Sequence, residues 1–227
     1  MLRFVVIMML QALAFSTYAH ACTGGKLSGF YAGLTAGLGK GDIDVGSGVQ
    51  DYGEYSVSYR PFTIETQGAL FGGYVGLNRQ CGRLLFGIEG DIMWSGMDGD
   101  TSGSVARAES DDVDLDSLSP TINYGTEVSI KHLSSIRGRI GLTIRDEHML
   151  YGTIGIGFTK LESMSHYDGL QVSATHTDNG LVLGGGYEGL VTDQMSLRAE
   201  VLHYRFGNDD TEFNPTVFRI GGAFHFR

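Results

Sequence analysis

Charged residues at alternate positions are the first groups in this sequence that could do chemistry. Glu89 and Asp91, Arg137 and Arg139, and Arg198 and Glu200 each stand two residues apart, the spacing that sends both side chains to one face of an extended strand. Glu188 and Arg219 sit in similar surroundings of glycine and aliphatic residues. Opposite charges in this phase can pair with one another or line a narrow path for ions. Other candidate chemistry is thinner. GLGKGD lacks the spacing of a phosphate-binding loop, and Asp42 stands where a GxGxxG motif needs glycine. Ser165 and His166 are adjacent in SMSHYDG, poor spacing for a nucleophile and its base on one strand face. DDVDLDSLSP spaces Asp112, Asp114 and Asp116 like the start of a calcium loop. Its sixth position is Ser117 instead of Gly and its twelfth Asn123 instead of Glu, so it reads as a solvated acidic loop. The chain is therefore expected to be non-enzymatic, with no metal and no cofactor.

The elements that must position the paired charges follow from composition and periodicity. The 227 residues include 35 Gly and only 3 Pro, and 11% are aromatic. Interior glycines cost a soluble helix about 1 kcal/mol each, whereas curved, closely packed strands tolerate them. A net charge of -10 excludes a sequence-independent nucleic-acid binder, which needs a basic surface. The opening MLRFVVIMMLQALAFSTYAHA has one basic residue, Arg3, an apolar run over 4–15, and the small-x-small pattern Ala19-His20-Ala21. Residues 1–21 are thus expected to be an export signal and 22–227 a single domain. Cleavage there would leave Cys22 first, although Ala19 stands where a lipoprotein signal prefers Leu. No later window is apolar enough for a spanning helix, so a membrane role requires a closed sheet.

Alternation marks eight strands of about ten residues, a length that crosses a bilayer when tilted. They cover 29–39, 68–78, 84–94, 128–144, 149–160, 180–190, 196–206 and 217–227. RQCGR, RDEH and TDQM are tight turns, and they alternate with long polar connections at 41–65, 98–125 and around His166 and His176. A soluble sheet with one wet face also alternates. The strict order of short and long connections, and acid–base pairs among glycines in place of a lysine-rich face, favour a membrane barrel. The fold class is all-β, an eight-stranded antiparallel up-and-down transmembrane β-barrel. Ile88, Ile140, Ile154 and Leu183 are expected to face lipid, opposite the charges.

LSGFYAGLTAGLG, FGIEGDIMWSG, IRGRIGL, MLYGTIGIGF, GGGYEGLVTDQMSLRAEVLHY and the closing RIGGAFHFR together resemble the small eight-stranded outer-membrane β-barrel proteins of Gram-negative bacteria. The resemblance is to the 25- and 31-kilodalton surface-antigen, porin-family and haemin-binding branch, and it covers nearly the whole mature chain except loops 41–65 and 98–125. It implies an outer-membrane location with both termini periplasmic, and contact with outer-membrane lipid and lipopolysaccharide. It also implies that barrel-assembly machinery reads the closing strand through Arg219, Gly221, Phe224 and Phe226, although Arg227 follows the last aromatic residue. The implied function is structural and directed at the host or environment; a haem-binding or small-channel uptake protein is the alternative. His166 and His176, near Met164 and Tyr167, are the candidate haem or metal residues. Some eight-stranded barrels act on lipid acyl chains, but Arg205 stands two residues after His203 where the deacylase pattern has Ser.

Inside a barrel of this size side chains just fill the space. Glu89, Asp91, Arg137, Arg139, Glu188, Arg198, Glu200 and Arg219 are therefore expected to form a lumen network, either a structural plug or a narrow gated path. Up-and-down order also puts Cys22 and Cys81 at one rim on neighbouring strands, where an oxidising compartment favours a disulfide; two unpaired thiols are the alternative.

Overall fold

In the computed structural model the described residues are 22, 24–45, 48–51, 56–59, 62–106, 121–167, 170–208 and 211–226. The expected export signal and Asp112, Asp114 and Asp116 lie outside them. Eleven strands occur among the described residues: β1 (Gly29–Val45), β2 (Gly48–Asp51), β3 (Ser56–Tyr59), β4 (Phe62–Cys81), β5 (Leu84–Ala106), β6 (Thr121–Ile144), β7 (His148–Tyr167), β8 (Leu170–Leu190), β9 (Met195–Asn208), β10 (Thr211–Phe213) and β11 (Thr216–Phe226). Eight of them close a ring, β1-β4-β5-β6-β7-β8-β9-β11, and β11 pairs back to β1. β2 and β3 form a separate hairpin, and β10 bridges β9 and β1.

Tight turns gather at one rim. Gly82 adopts φ 61°, and Arg145 and Asp146 adopt φ 54° and 56°, the left-handed pair that matches the twist of a two-residue hairpin. At the other rim the strands run much further than alternation indicated. The β5–β6 ladder continues from Met97↔Ile130 to Ala106↔Thr121, and β7 pairs with β8 up to Tyr167↔Leu170. The expected long loops at 98–125 and around His166 and His176 are thus corrected to hairpin extensions over their described residues. A backbone ladder needs no apolar face, so it persists where both faces turn polar and the period-two signal fades. Local irregularities fall where this change begins, after Trp94 in β5 and at Lys131 in β6.

One register row measures the stagger. It runs Phe30↔Leu77↔Ile88↔Gly138↔Ile154↔Leu183↔His203↔Thr216 and returns to β1 at Lys40, ten residues above its start. With about 3.3 Å per residue and 4.8 Å between strands, that stagger corresponds to a tilt of roughly 40°.

Burial is inverted relative to a water-soluble barrel. Leu34 is 76% exposed, Ile88 61% and Ile136 61%, while Glu89 and Glu188 are 0% exposed. Ile140, Ile154 and Leu183 lie on the same outer face. Aromatic residues bound this apolar band: Phe30, Phe86, Tyr187, Phe224 and Phe226 near the tight-turn rim, and Phe71, Trp94, Phe158 and Phe218 at the other edge. Phe71 and Trp94 stack at 5.7 Å. Such girdles mark the two edges of a bilayer around a barrel.

Candidate functional site

Alternation turns the charged residues of β5, β6, β8, β9 and β11 inward, and closure of the ring brings them together. Glu89 sits at the centre, accepting from Arg137, Arg198 and the Tyr31 hydroxyl, and from Arg139 at 3.1 Å. Asp91 Oδ2 accepts from Ser135 Oγ at 2.7 Å and Arg137 at 2.8 Å, and Arg219 lies 3.4 Å away. Glu200 receives Arg219 Nε at 2.6 Å and Arg137 at 3.1 Å. Glu188 accepts from Arg139 at 2.8 Å and Ser196 Oγ at 2.7 Å. The structure thus gathers all eight charged lumen residues singled out in the sequence into one network. Four carboxylates meet four guanidinium groups, so their formal charges cancel. Buried charges persist when paired in this way, because isolated ions are too costly to desolvate; Asp91 Oδ1 and the Nε atoms of Arg137, Arg139 and Arg198 nevertheless make no hydrogen bond.

Several members carried no usable sequence signal. Tyr31 and Tyr151 donate to carboxylates, and Arg198 lies 3.4 Å above the Tyr74 ring while Arg139 lies 4.0 Å above Tyr151. His225 Nε2 lies 3.0 Å from Ser196 Oγ and 3.4 Å from Glu188. Tyr31 and Tyr74 have room to lie flat because Gly76 and Gly33 face them; a Cβ at either glycine would run into the ring. Apolar layers close the network at both ends. Toward the extended hairpins stand Leu70, Met93, Met97, Ile130, Leu133 and Leu202 with neighbouring rings of Tyr204, Phe206 and Phe213. Toward the tight turns stand Leu27, Leu85, Met149 and Tyr151.

Leu27 belongs to a strap that crosses the tight-turn mouth ahead of β1. Cys22 is joined to Cys81 by a disulfide, with the Cα atoms 4.3 Å apart; a sulfur in this bond is unavailable for acylation. Ser28 Oγ accepts the Gln80 backbone N–H at 3.0 Å. Lys26 lies 2.9 Å from Glu147 in the β6–β7 turn and 3.7 Å from Asp193 in the β8–β9 turn. The Lys26 hydrogen bond and charge hold the exposed Glu147 carboxyl below its ordinary range. All three tight turns are therefore tied to one short segment.

The other candidates stay apart. His166 stands opposite Gln171 and His176 opposite Leu161, five register steps away, or roughly 17 Å. They occupy opposite faces of the hairpin: His166 contacts Gln171 at 3.3 Å and His176 contacts Asp178 at 3.2 Å. No cluster of three metal-ligating residues occurs among the described residues. Ser165 Oγ lies 3.2 Å from Thr126 Oγ1, not from an imidazole. Arg219, Gly221, Phe224 and Phe226 lie on β11, where Phe224 and Phe226 contact at 5.1 Å and Phe226 meets Phe30 at 5.3 Å across the ring closure.

Residues 7–226 match the family model described as outer membrane protein beta-barrel domain. The chain is 27% identical over 201 residues to the 22 kDa outer membrane protein of Rhizobium leguminosarum bv. viciae, covering 87% of this chain and 72% of that one. It is 24% identical over 186 residues to the 31 kDa outer-membrane immunogenic protein of Brucella melitensis biotype 1, covering 79% and 71%. Among solved structures, Neisserial surface protein A aligns with a TM-score of 0.44 and 13% identity over 88% of this chain and 98% of its own. An outward apolar band between aromatic girdles, a charged but closed interior and a family match over nearly the full length lead to one assignment: the chain belongs to the outer membrane protein beta-barrel domain family and is a β-barrel protein of the Gram-negative outer membrane.

Proposed function

We propose that this barrel is a non-conducting, non-enzymatic envelope protein whose extended hairpins present a surface to the environment or a host. The filled lumen carries the reading: a neutral ion-pair network of fully buried side chains stands between two apolar clusters. The tight-turn rim with its disulfide strap faces the periplasm and the hairpin extensions face outward, in keeping with the short-turn and long-connection habit of bacterial barrels. β5 to β8 then form a sheet that stands above the outer girdle. The immunogenic name of the Brucella relative supports exposure of that region. Lipopolysaccharide surrounds the outer half of the band, and Arg219, Gly221, Phe224 and Phe226 act as the label read by assembly machinery. Haem capture has less support, because His166 and His176 stand on opposite faces of their hairpin.

Planar-bilayer recording tests the reading. The refolded barrel is expected to leave the membrane at baseline conductance, and discrete conductance steps would overturn the plug. Haem titration of the same preparation is expected to leave the haem spectrum unchanged.

A further inference from the structure

We propose that the free edge of the β7–β8 hairpin pairs antiparallel with the same edge of a second copy of this chain, joining barrels that stand in two opposed membranes; the opposed-membrane geometry rests on the orientation given above. β8 is flanked by β9 only from Gly180 to Leu190. Over 170–179 it pairs with β7 alone among the described residues. Alternate backbone N–H and C=O groups along about 30 Å of strand therefore point away from the hairpin.

The two edges of the projecting β5–β8 sheet differ in how they are guarded. Natural edges are protected from pairing by charge, Pro, bulges or cover. On the β5 side, Asp98 still pairs with Gln67 of β4, an added Cβ at Gly99 would meet the Glu65 carbonyl of β4, and Asp100 stands directly opposite Glu127. The β8 edge carries none of these. Residues 170–177 read LQVSATHT, with no acid, Lys, Arg, Pro or Gly. Their ladder to β7 keeps one register, and Ser173, Thr175 and Thr177 are exposed.

Charge selects a second copy as the occupant. The chain has a net charge of -10, and exposed acids face one another directly at Asp42↔Glu65, Asp44↔Glu212 and Asp100↔Glu127. These pairs form a wall centred on β4, which is four strands from β8 in either direction around the ring. Two copies repel through that wall and meet without repulsion at the β8 edge. Centring an antiparallel self-pair on Thr175 uses the whole free stretch. It sets Thr175 against its own copy, Ser173 against Thr177 and Gln171 against Asn179, polar pairs that hydrogen-bond across strands. The two-fold axis of such a pair is perpendicular to the sheet. Because the sheet stands on end above the bilayer, that axis lies parallel to the membrane and turns the second barrel upside down, its own bilayer facing the first.

The full barrel, refolded from urea into detergent, provides the test. Sedimentation equilibrium is expected to show monomers exchanging with dimers. Oxidised Thr175→Cys is expected to cross-link into dimers, because directly opposed Cβ atoms stand about 5 Å apart, whereas Thr101→Cys on β5 does not. Thr175→Lys sets two cations against each other and is expected to weaken dimerisation roughly fivefold or more. Thr175→Glu alone does the same, and an equimolar mixture of the two variants is expected to restore dimers that hold one copy of each. A wild-type barrel that stays monomeric, with or without an extended host peptide bound, overturns the pairing. So does a Thr175→Lys variant that dimerises as wild type does, or a mixture that stays monomeric. Folding of each variant is checked by heat-modifiable gel migration. Orientation is read separately, by labelling Thr175→Cys in whole cells with an impermeant maleimide. Labelling with a monomer sinks the edge pairing alone, while a dimer without labelling overturns the orientation and with it the opposed-membrane geometry.

Discussion

Replacing Glu89 with Gln preserves side-chain volume but removes one charge from the centre of the lumen. Glu89 lies within ion-pair distance of Arg137, Arg139, Arg198 and Arg219, and all five side chains are 1% exposed or less. The variant leaves three carboxylates to compensate four guanidinium groups. Breaking a single buried pair costs about 3–5 kcal/mol, because the abandoned partner stays buried. Glu89 serves four cations, so its loss is expected at the upper end, about 5 kcal/mol. Glu188 meets only Arg139 among the arginines, so Glu188→Gln is expected nearer the lower end, about 3 kcal/mol. The matched double variant Glu89→Gln/Arg198→Met is expected to lose less than the sum of its two singles, by roughly 1–3 kcal/mol of coupling. Equilibrium urea unfolding from lipid vesicles measures each, followed through the fluorescence of Trp94. This residue is the single tryptophan of the chain, 51% exposed on the lipid face and remote from the substitutions. A loss below about 1 kcal/mol for Glu89→Gln, the size of an exposed ion pair, would refute the dry network, and so would strict additivity of the double variant.

Further substitutions probe the wall and the strap. Ile154→Arg puts a charge mid-band on the outer face and is expected to cost about 2–4 kcal/mol in vesicle unfolding; an unchanged midpoint would place that residue away from lipid. Gly76→Ala drives a Cβ into the Tyr31 ring and should destabilise by about 1–3 kcal/mol. Gly152→Ala meets nothing closer than 3.9 Å and should stay within about 0.5 kcal/mol of wild type, so equal effects at the two glycines would contradict the assigned faces. Cys22→Ser/Cys81→Ser opens a cross-link spanning 59 residues, worth about 4 kcal/mol in the chain-entropy model. Intact-mass analysis without reductant is expected to show no alkylated thiol in the wild-type protein.

Inside and outside were legible wherever two chemistries alternated. The phase of Glu89 and Asp91 against Ile88 and Ile92 already divided β5, and the phase of Arg137 and Arg139 divided β6. Strand length was not legible, because residues such as Asp98, Asp100 and Glu127 carry no apolar rhythm although their backbones still pair. Partner identity was hidden for another reason. His225 reads as an inward position of the closing strand, but Ser196 and Glu188 lie 29 and 37 residues earlier, and only closure of the ring makes them neighbours. Cys22 and Cys81 were easier, since adjacent strands and a shared rim leave few separations for two cysteines to span.

Ring closure also completes the balance of charges. Among the barrel strands β11 comes last in chain order, and it delivers Arg219 to Glu200, Asp91 and Glu89. Without β11, four acidic groups would face only Arg137, Arg139 and Arg198, one guanidinium short of balance. Neutrality therefore depends on the same strand that makes the hydrogen-bonded seam with β1. Arg219 thus joins two requirements in one residue: charge balance at the centre of the lumen and closure of the ring.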